Sequence, residues 1–112
     1  MTLSAHPLAE LAPKFIELSG EVLFEDIWER PGLSKRERSL ITVASLVSLY
    51  RQNELPFHLK KALDNGLTKE ELVEAITHLA FYSGWPTAAT ALNIAKATFE
   101  AAEHTSAGTV LE

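Results

Sequence analysis

Between Leu40 and Tyr50 the chain carries Leu40, Ile41, Val43, Ala44, Leu46, Val47, Leu49 and Tyr50, apolar positions that point in every direction around a helix. A helix that is apolar all round must be covered all round. A chain of 112 residues has few elements with which to do this; at this size roughly two-thirds of the unfolded surface is buried. Two arrangements satisfy the constraint. The helix is a central core element, or other copies of the chain help to cover it. Its start is set by Ser34-Lys35-Arg36-Glu37, a capping box with serine at the N-cap and glutamate three residues on. The expected helix covers about residues 34 to 50.

The remaining apolar spacings are also helical. Leu8, Leu11, Phe15, Leu18 and Val22 recur at intervals of 3, 4, 3 and 4, which is one amphipathic stripe. Pro13 suits a first helical turn, and Gly20 weakens the far end. A short helical piece, Leu23 to Glu29, is stopped by Pro31-Gly32. A fourth helix is expected from about Asn53 to Asp64. Asn65-Gly66 stops it, and Lys60 and Lys61 in its last turn favour the helix dipole. Thr68-Lys69-Glu70-Glu71 is a second capping box and opens a helix over about 69 to 82. Ser83-Gly84-Trp85-Pro86 breaks the chain, and a sixth helix follows from Pro86 to about Glu103. No strand pattern occurs. The reading is all-α, with about six helices, one domain over residues 1–103 and a fraying tail from His104 to Glu112.

Composition narrows the function. No cysteine is present, so disulfides, thiolate metal sites and thiol nucleophiles are excluded. The net charge of −5 and the absence of any Lys/Arg run longer than a pair disfavour nucleic acid as a partner. The opening residues lack the basic start and apolar run of a secretory signal. No stretch has the roughly 18–20 apolar residues of a membrane span. The expected location is the cytoplasm, with no membrane partner.

Several residues are candidates for chemistry. Glu54 and His58 lie four apart on one helical face, where a carboxylate can orient an imidazole and raise its basicity; an ordinary surface pair is the alternative. Arg38 and Arg51 offer forked guanidinium groups that match a carboxylate, or are solvated charges. His78, Tyr82 and Trp85, at i, i+4 and i+7, either wall a pocket or pack in the core. The start of the sixth helix presents free backbone N–H groups to anions. The four histidines are far apart in sequence. A metal at Glu54, His58 and His78 is disfavoured, and neither metal nor cofactor is expected. No glycine-rich phosphate loop and no G-x-S-x-G elbow occurs.

Three segments together carry a resemblance. They are Trp28 through Thr42 (WERPGLSKRERSLIT), Glu54 through His58 followed by Asn65-Gly66-Leu67-Thr68-Lys69-Glu70-Glu71, and Ala80 through Pro86 (AFYSGWP). In order and spacing they resemble the carboxymuconolactone decarboxylase-like family, which also contains the alkylhydroperoxidase D-type proteins; the likeness spans roughly residues 13 to 102. It implies an all-helical subunit that assembles into a ring, a trimer or a hexamer. It also implies a pocket around His58 near subunit contacts.

The family has a redox branch and a decarboxylase branch. The redox branch carries CxxC on the helix of the matching histidine and a glutamate upstream. Those positions are Arg51, Glu54 and Ser39 in this chain, so dithiol peroxidase activity is rejected. The decarboxylase branch resembles the chain better. It implies a cofactor-independent conversion of a 4-carboxymuconolactone-like substrate, a small carboxylated lactone, in aromatic catabolism. His58 would then be the proton donor or shuttle and Glu54 its orienting group. Arg38, Arg51 and the pocket residues His78, Tyr82 and Trp85 would bind the substrate. The alternative is a non-redox binder of small molecules on the same scaffold.

Overall fold

A computed structural model describes the backbone from residue 6 to residue 111 and the side chains from residue 6 to residue 103. All regular elements among the described residues are helical. They are α1 (Pro13–Leu18), a π-helical turn (Ser19–Phe24), a 3₁₀ turn (Ile27–Glu29), α2 (Lys35–Ser48), α3 (Leu55–Asp64), α4 (Lys69–Ser83) and α5 (Trp85–Leu111). The chain divides into two compact units, Met1–Lys35 and Arg36–Glu112.

In the first unit, Pro13 opens α1, as its fixed φ favours. The α-pattern does not continue to Val22. At Ser19 it widens to a π-turn, in which Glu25 N–H donates to the Gly20 carbonyl at 2.8 Å. The apolar stripe nonetheless stays on one face, and that face is turned outward. Leu11, Phe15, Leu18 and Val22 are exposed on the single chain, while Ile16 and Gly20 are buried. Trp28 in the 3₁₀ turn is buried and stacks on Phe24, with centroids 6.4 Å apart.

The second unit holds a continuous core. Val43 and Val47 of α2, Leu55 and Leu59 of α3, and Leu72 and Ile76 of α4 are buried there. The buried face of α5 is Ala88, Ala91 and Ala95, closed by Phe99. Small side chains at these spacings let neighbouring helices approach closely. The helix α4 starts at the expected capping box: Glu71 N–H donates to Thr68 Oγ1, and Thr68 N–H donates to Glu71 Oε1, both at 3.0 Å. Helix α2 begins directly after Ser34. It is covered on one side only within the chain: Ile41, Leu49 and Tyr50 are exposed at 55%, 62% and 53%.

Helices α2 and α4 run side by side in the same direction. Near their starts Arg36 pairs with Glu71, and near their ends Ser48 Oγ meets Ser83 Oγ at 2.8 Å. The offset is 35 residues at both ends, which only a parallel arrangement gives.

Helices α2 and α3 end in the same way. Tyr50 N–H donates to the Val47 carbonyl at 3.1 Å and Arg51 N–H to the Leu46 carbonyl at 2.8 Å. Gly66 N–H donates to the Leu63 carbonyl at 3.1 Å and Leu67 N–H to the Ala62 carbonyl at 3.0 Å. Each is a Schellman closure, which needs a left-handed residue at its turn. Gly66 takes that conformation freely at φ 103°, whereas Tyr50 takes it at φ 60°; its hydroxyl lies 3.4 Å from Thr90 Oγ1. Helix α5 continues to Leu111, past the Glu103 at which the sequence pattern ends it. The expected tail from His104 is thus helical in its backbone to Leu111; its side chains, and Glu112, lie outside the described residues.

Gly66→Ala tests the closure of α3. Only Arg36 Cδ, at 3.9 Å, approaches the added methyl, so the cost is one of backbone conformation. The expected loss of stability is about 1–2 kcal/mol, read as a lower urea midpoint with an unchanged slope.

Candidate functional site

Helix α3 shows three faces. Leu55, Leu59 and Ala62 enter the core. Pro56, Phe57 and Lys60 line an outer groove with alanines of α5. His58, Lys61 and Asn65, at spacings of three and four, make up the third face, and all three are half-buried. At its far end Asn65 Nδ2 donates to Ser39 Oγ at 2.9 Å. Ser39 is fully buried near the start of α2, and Arg38 beside it is half-buried. The face carrying His58 is thereby tied to the stretch of α2 that carries Arg38.

The imidazole of His58 meets the Phe57 ring edge-on, with centroids 5.0 Å apart and planes at 88°. Burial lowers its pKa below the ordinary 6.5, and the neighbouring Lys61 ammonium lowers it further. The group is therefore a neutral imidazole at neutral pH. In that form it accepts a proton at one ring nitrogen and donates from the other.

Glu54 is the N-cap of α3, and its carbonyl accepts the His58 backbone N–H at 3.4 Å. The spacing read from the sequence is present, but the side-chain pairing is not. Among the described residues no hydrogen bond or ion pair joins the exposed Glu54 carboxylate to the imidazole. Glu54 is exposed at the end of the helix and makes no side-chain cap hydrogen bond there. Arg51 is exposed in the loop after α2.

The other expected group gathers at the corner of α4 and α5. His78 and Tyr82 are 5.0 Å apart and tilted by 35°. Trp85 contacts Phe81 edge-on at 6.2 Å. Tyr82 and Trp85 are 79% and 68% exposed on the single chain; they do not pack in its core. His78 lines an open groove of about 640 Å³ between α2 and α4. Its floor includes Leu40, Ala44, Ala75 and Leu79, and Glu70, Glu71 and Glu74 stand at its edge. The Glu71 carboxyl is held below its usual range by the Thr68 N–H and by Arg36. Among the described residues no three His, Asp or Glu side chains converge as metal ligands. Glu54 and His58 lie at and on α3, His78 on α4. No described helix is long and apolar enough to cross a membrane.

Sequence reasoning missed Lys61 and the Asn65–Ser39 bond. The spacing of His58, Lys61 and Asn65 was the available signal, but Lys61 was read only as a helix-dipole residue.

The described elements define the class as all-α proteins, here without a thiol and with a half-buried histidine one turn from a half-buried lysine on the same helix face. The chain belongs to the carboxymuconolactone decarboxylase family, whose profile matches residues 13–97. It is 43% identical over 75 residues to the 4-carboxymuconolactone decarboxylase of Acinetobacter baylyi, covering 67% of this chain and 56% of that protein. It is 35% identical over 82 residues to the nitrosuccinic acid decarboxylase of Metarhizium robertsii, covering 73% of this chain and 57% of that protein. An uncharacterized protein of Paracoccus denitrificans is 28% identical over 81 residues, covering 70% of this chain and 60% of its own length. The chain thus spans less than two-thirds of the length of these curated relatives.

The lowered pKa of His58 has a sign that can be checked. Between the depressed folded value and 6.5 the unfolded chain binds more protons at this position than the folded one. Stability from this group is therefore intact above about pH 6.5 and falls as the pH drops through that window. NMR titration is expected to give a His58 midpoint below 6.5. His58→Gln is expected to flatten the loss of stability measured by urea unfolding between about pH 7.5 and pH 5.

Proposed function

We propose that the chain is a cofactor-independent carboxy-lyase acting on a small carboxylated lactone of the 4-carboxymuconolactone type, in the breakdown of aromatic compounds. The observation that supports this most is the half-buried His58, held neutral on α3 within the segment that matches the family. Two curated relatives are named as decarboxylases, and their shared requirement is the loss of CO2 from an activated acid.

The reaction places limited demands on the protein. The C–COO⁻ bond breaks, CO2 leaves, and its electron pair passes into the conjugated lactone. One carbon then takes up one proton. His58 delivers that proton after taking one up itself, which an anionic substrate beside it promotes by raising its pKa. Arg38 or Arg51, with the start of α5, holds carboxylates in this scheme. Glu54 enters the site only if substrate or a neighbouring copy turns its carboxylate toward the imidazole. No step requires a metal or an organic cofactor.

The working form in this reading is a ring of copies, a trimer or hexamer, located in the cytoplasm. The exposed Ile41 and Leu49 of α2, the exposed stripe of α1 and the aromatic corner at Phe81, Tyr82 and Trp85 support association. Apolar surface on this scale is unusual for a lone soluble chain.

The test is turnover of 4-carboxymuconolactone, generated in situ and followed by ultraviolet absorbance. Wild type is expected to turn over. His58→Ala is expected to lower kcat by about 10²–10⁴-fold with the oligomer unchanged by light scattering. Equal rates in both proteins would remove His58 from the mechanism.

A further inference from the structure

We infer that Lys61 is a further carboxylate-binding residue of the His58 site, its ammonium holding one carboxylate of an acidic ligand a helical turn from the imidazole. This rests on the reading of His58 as the reacting group and extends it to a residue not yet assigned a role in that site.

The geometry of α3 separates its two adjacent lysines. Lys60 is exposed and shares the outer groove with Pro56 and Phe57. Lys61 lies about 100° further round the helix, is half-buried, and falls on the face of His58 and Asn65. Residues three apart on a helix are neighbours, with Cβ atoms about 5–6 Å apart. The ammonium is close enough for its charge to be felt at the imidazole, where it opposes protonation. The same face is anchored through Asn65 and Ser39 to the part of α2 that carries Arg38. A cationic side chain thus neighbours the imidazole in a chain whose net charge is −5. Over most of its surface such a chain repels a dianion, so a local cation decides where a carboxylated ligand settles.

A role confined to the helix dipole predicts something different. Lys61 is in the last turn of α3, where a cation is stabilising in any case. Removing it for that reason would lower stability and leave ligand affinity alone.

The experiment uses the full chain as wild type, Lys61→Met, Lys61→Arg and Lys60→Met. Binding of succinate is followed through the His58 ring resonances, with uncharged succinamide as control, and lactone turnover is measured in parallel. Thermal melts establish that each variant is folded. Wild type, Lys61→Arg and Lys60→Met are expected to bind succinate alike, and none is expected to bind succinamide. Lys61→Met is expected to weaken succinate binding about tenfold or more, as loss of a charge-assisted contact does, and to raise KM by a similar factor with a smaller change in kcat. Equal succinate binding by folded Lys61→Met and wild type would overturn the assignment, as would absence of succinate binding by wild type. Binding that depends on Lys61 without lactone turnover would remove the decarboxylase reading and leave the carboxylate site standing.

Discussion

In the second unit α3 and α4 pack against α5, and α2 is an apolar helix with more faces than its own chain covers. One face, Val43 and Val47, joins the core, and the parallel α4 is fastened to it at both ends. The two fastenings differ in strength. Arg36 and Glu71 are both largely solvated, and such a pair contributes little to stability; it mainly fixes register. The larger share comes from apolar side chains removed from water against α3, α4 and the alanine face of α5. Ile41 and Leu49 are left on the surface, which is why an assembly is the natural proposal for a chain this short.

Polar chemistry in the unit is concentrated on α3. Its core face and its outer face leave a third stripe, and His58, Lys61 and Asn65 occupy it. Partial burial makes the imidazole reluctant to hold a proton, and the neighbouring ammonium makes it more so. In the proposed reaction a negatively charged ligand opposes that tendency by raising the imidazole's affinity for a proton, which suits a step that puts a proton on carbon.

Much of the fold was legible before any coordinates. Thr68 and Glu71 announced the start of α4 because capping is a local matter, settled within four residues. Gly66 announced the end of α3 because only glycine reaches its φ without strain. Tyr50 gave no such signal, since nothing in a tyrosine marks a left-handed turn. The π-turn after Leu18 was equally silent: a single wider turn leaves the apolar spacing of Leu11, Phe15, Leu18 and Val22 as it is. The candidate site was legible in part. The helical neighbourhood of Glu54 and His58 follows from spacing, but the direction of a carboxylate at a helix end does not. The adjacent Lys60 and Lys61 read alike in one dimension and lie on different faces in three.

By itself, the sequence determined the all-helical class, the positions of the main helices, the absence of thiol chemistry and the family resemblance later supported by the matched profile. These rest on local periodicity, capping and composition, which need no knowledge of distant residues. Only the tertiary structure decided that α2 and α4 are parallel, that Ser39 is buried near Asn65, that the aromatic corner is exposed, and that burial, with Lys61 beside it, lowers the pKa of His58. Each of these depends on which face of a helix meets a neighbour. That is fixed by packing between residues far apart in sequence, and a one-dimensional pattern does not contain it.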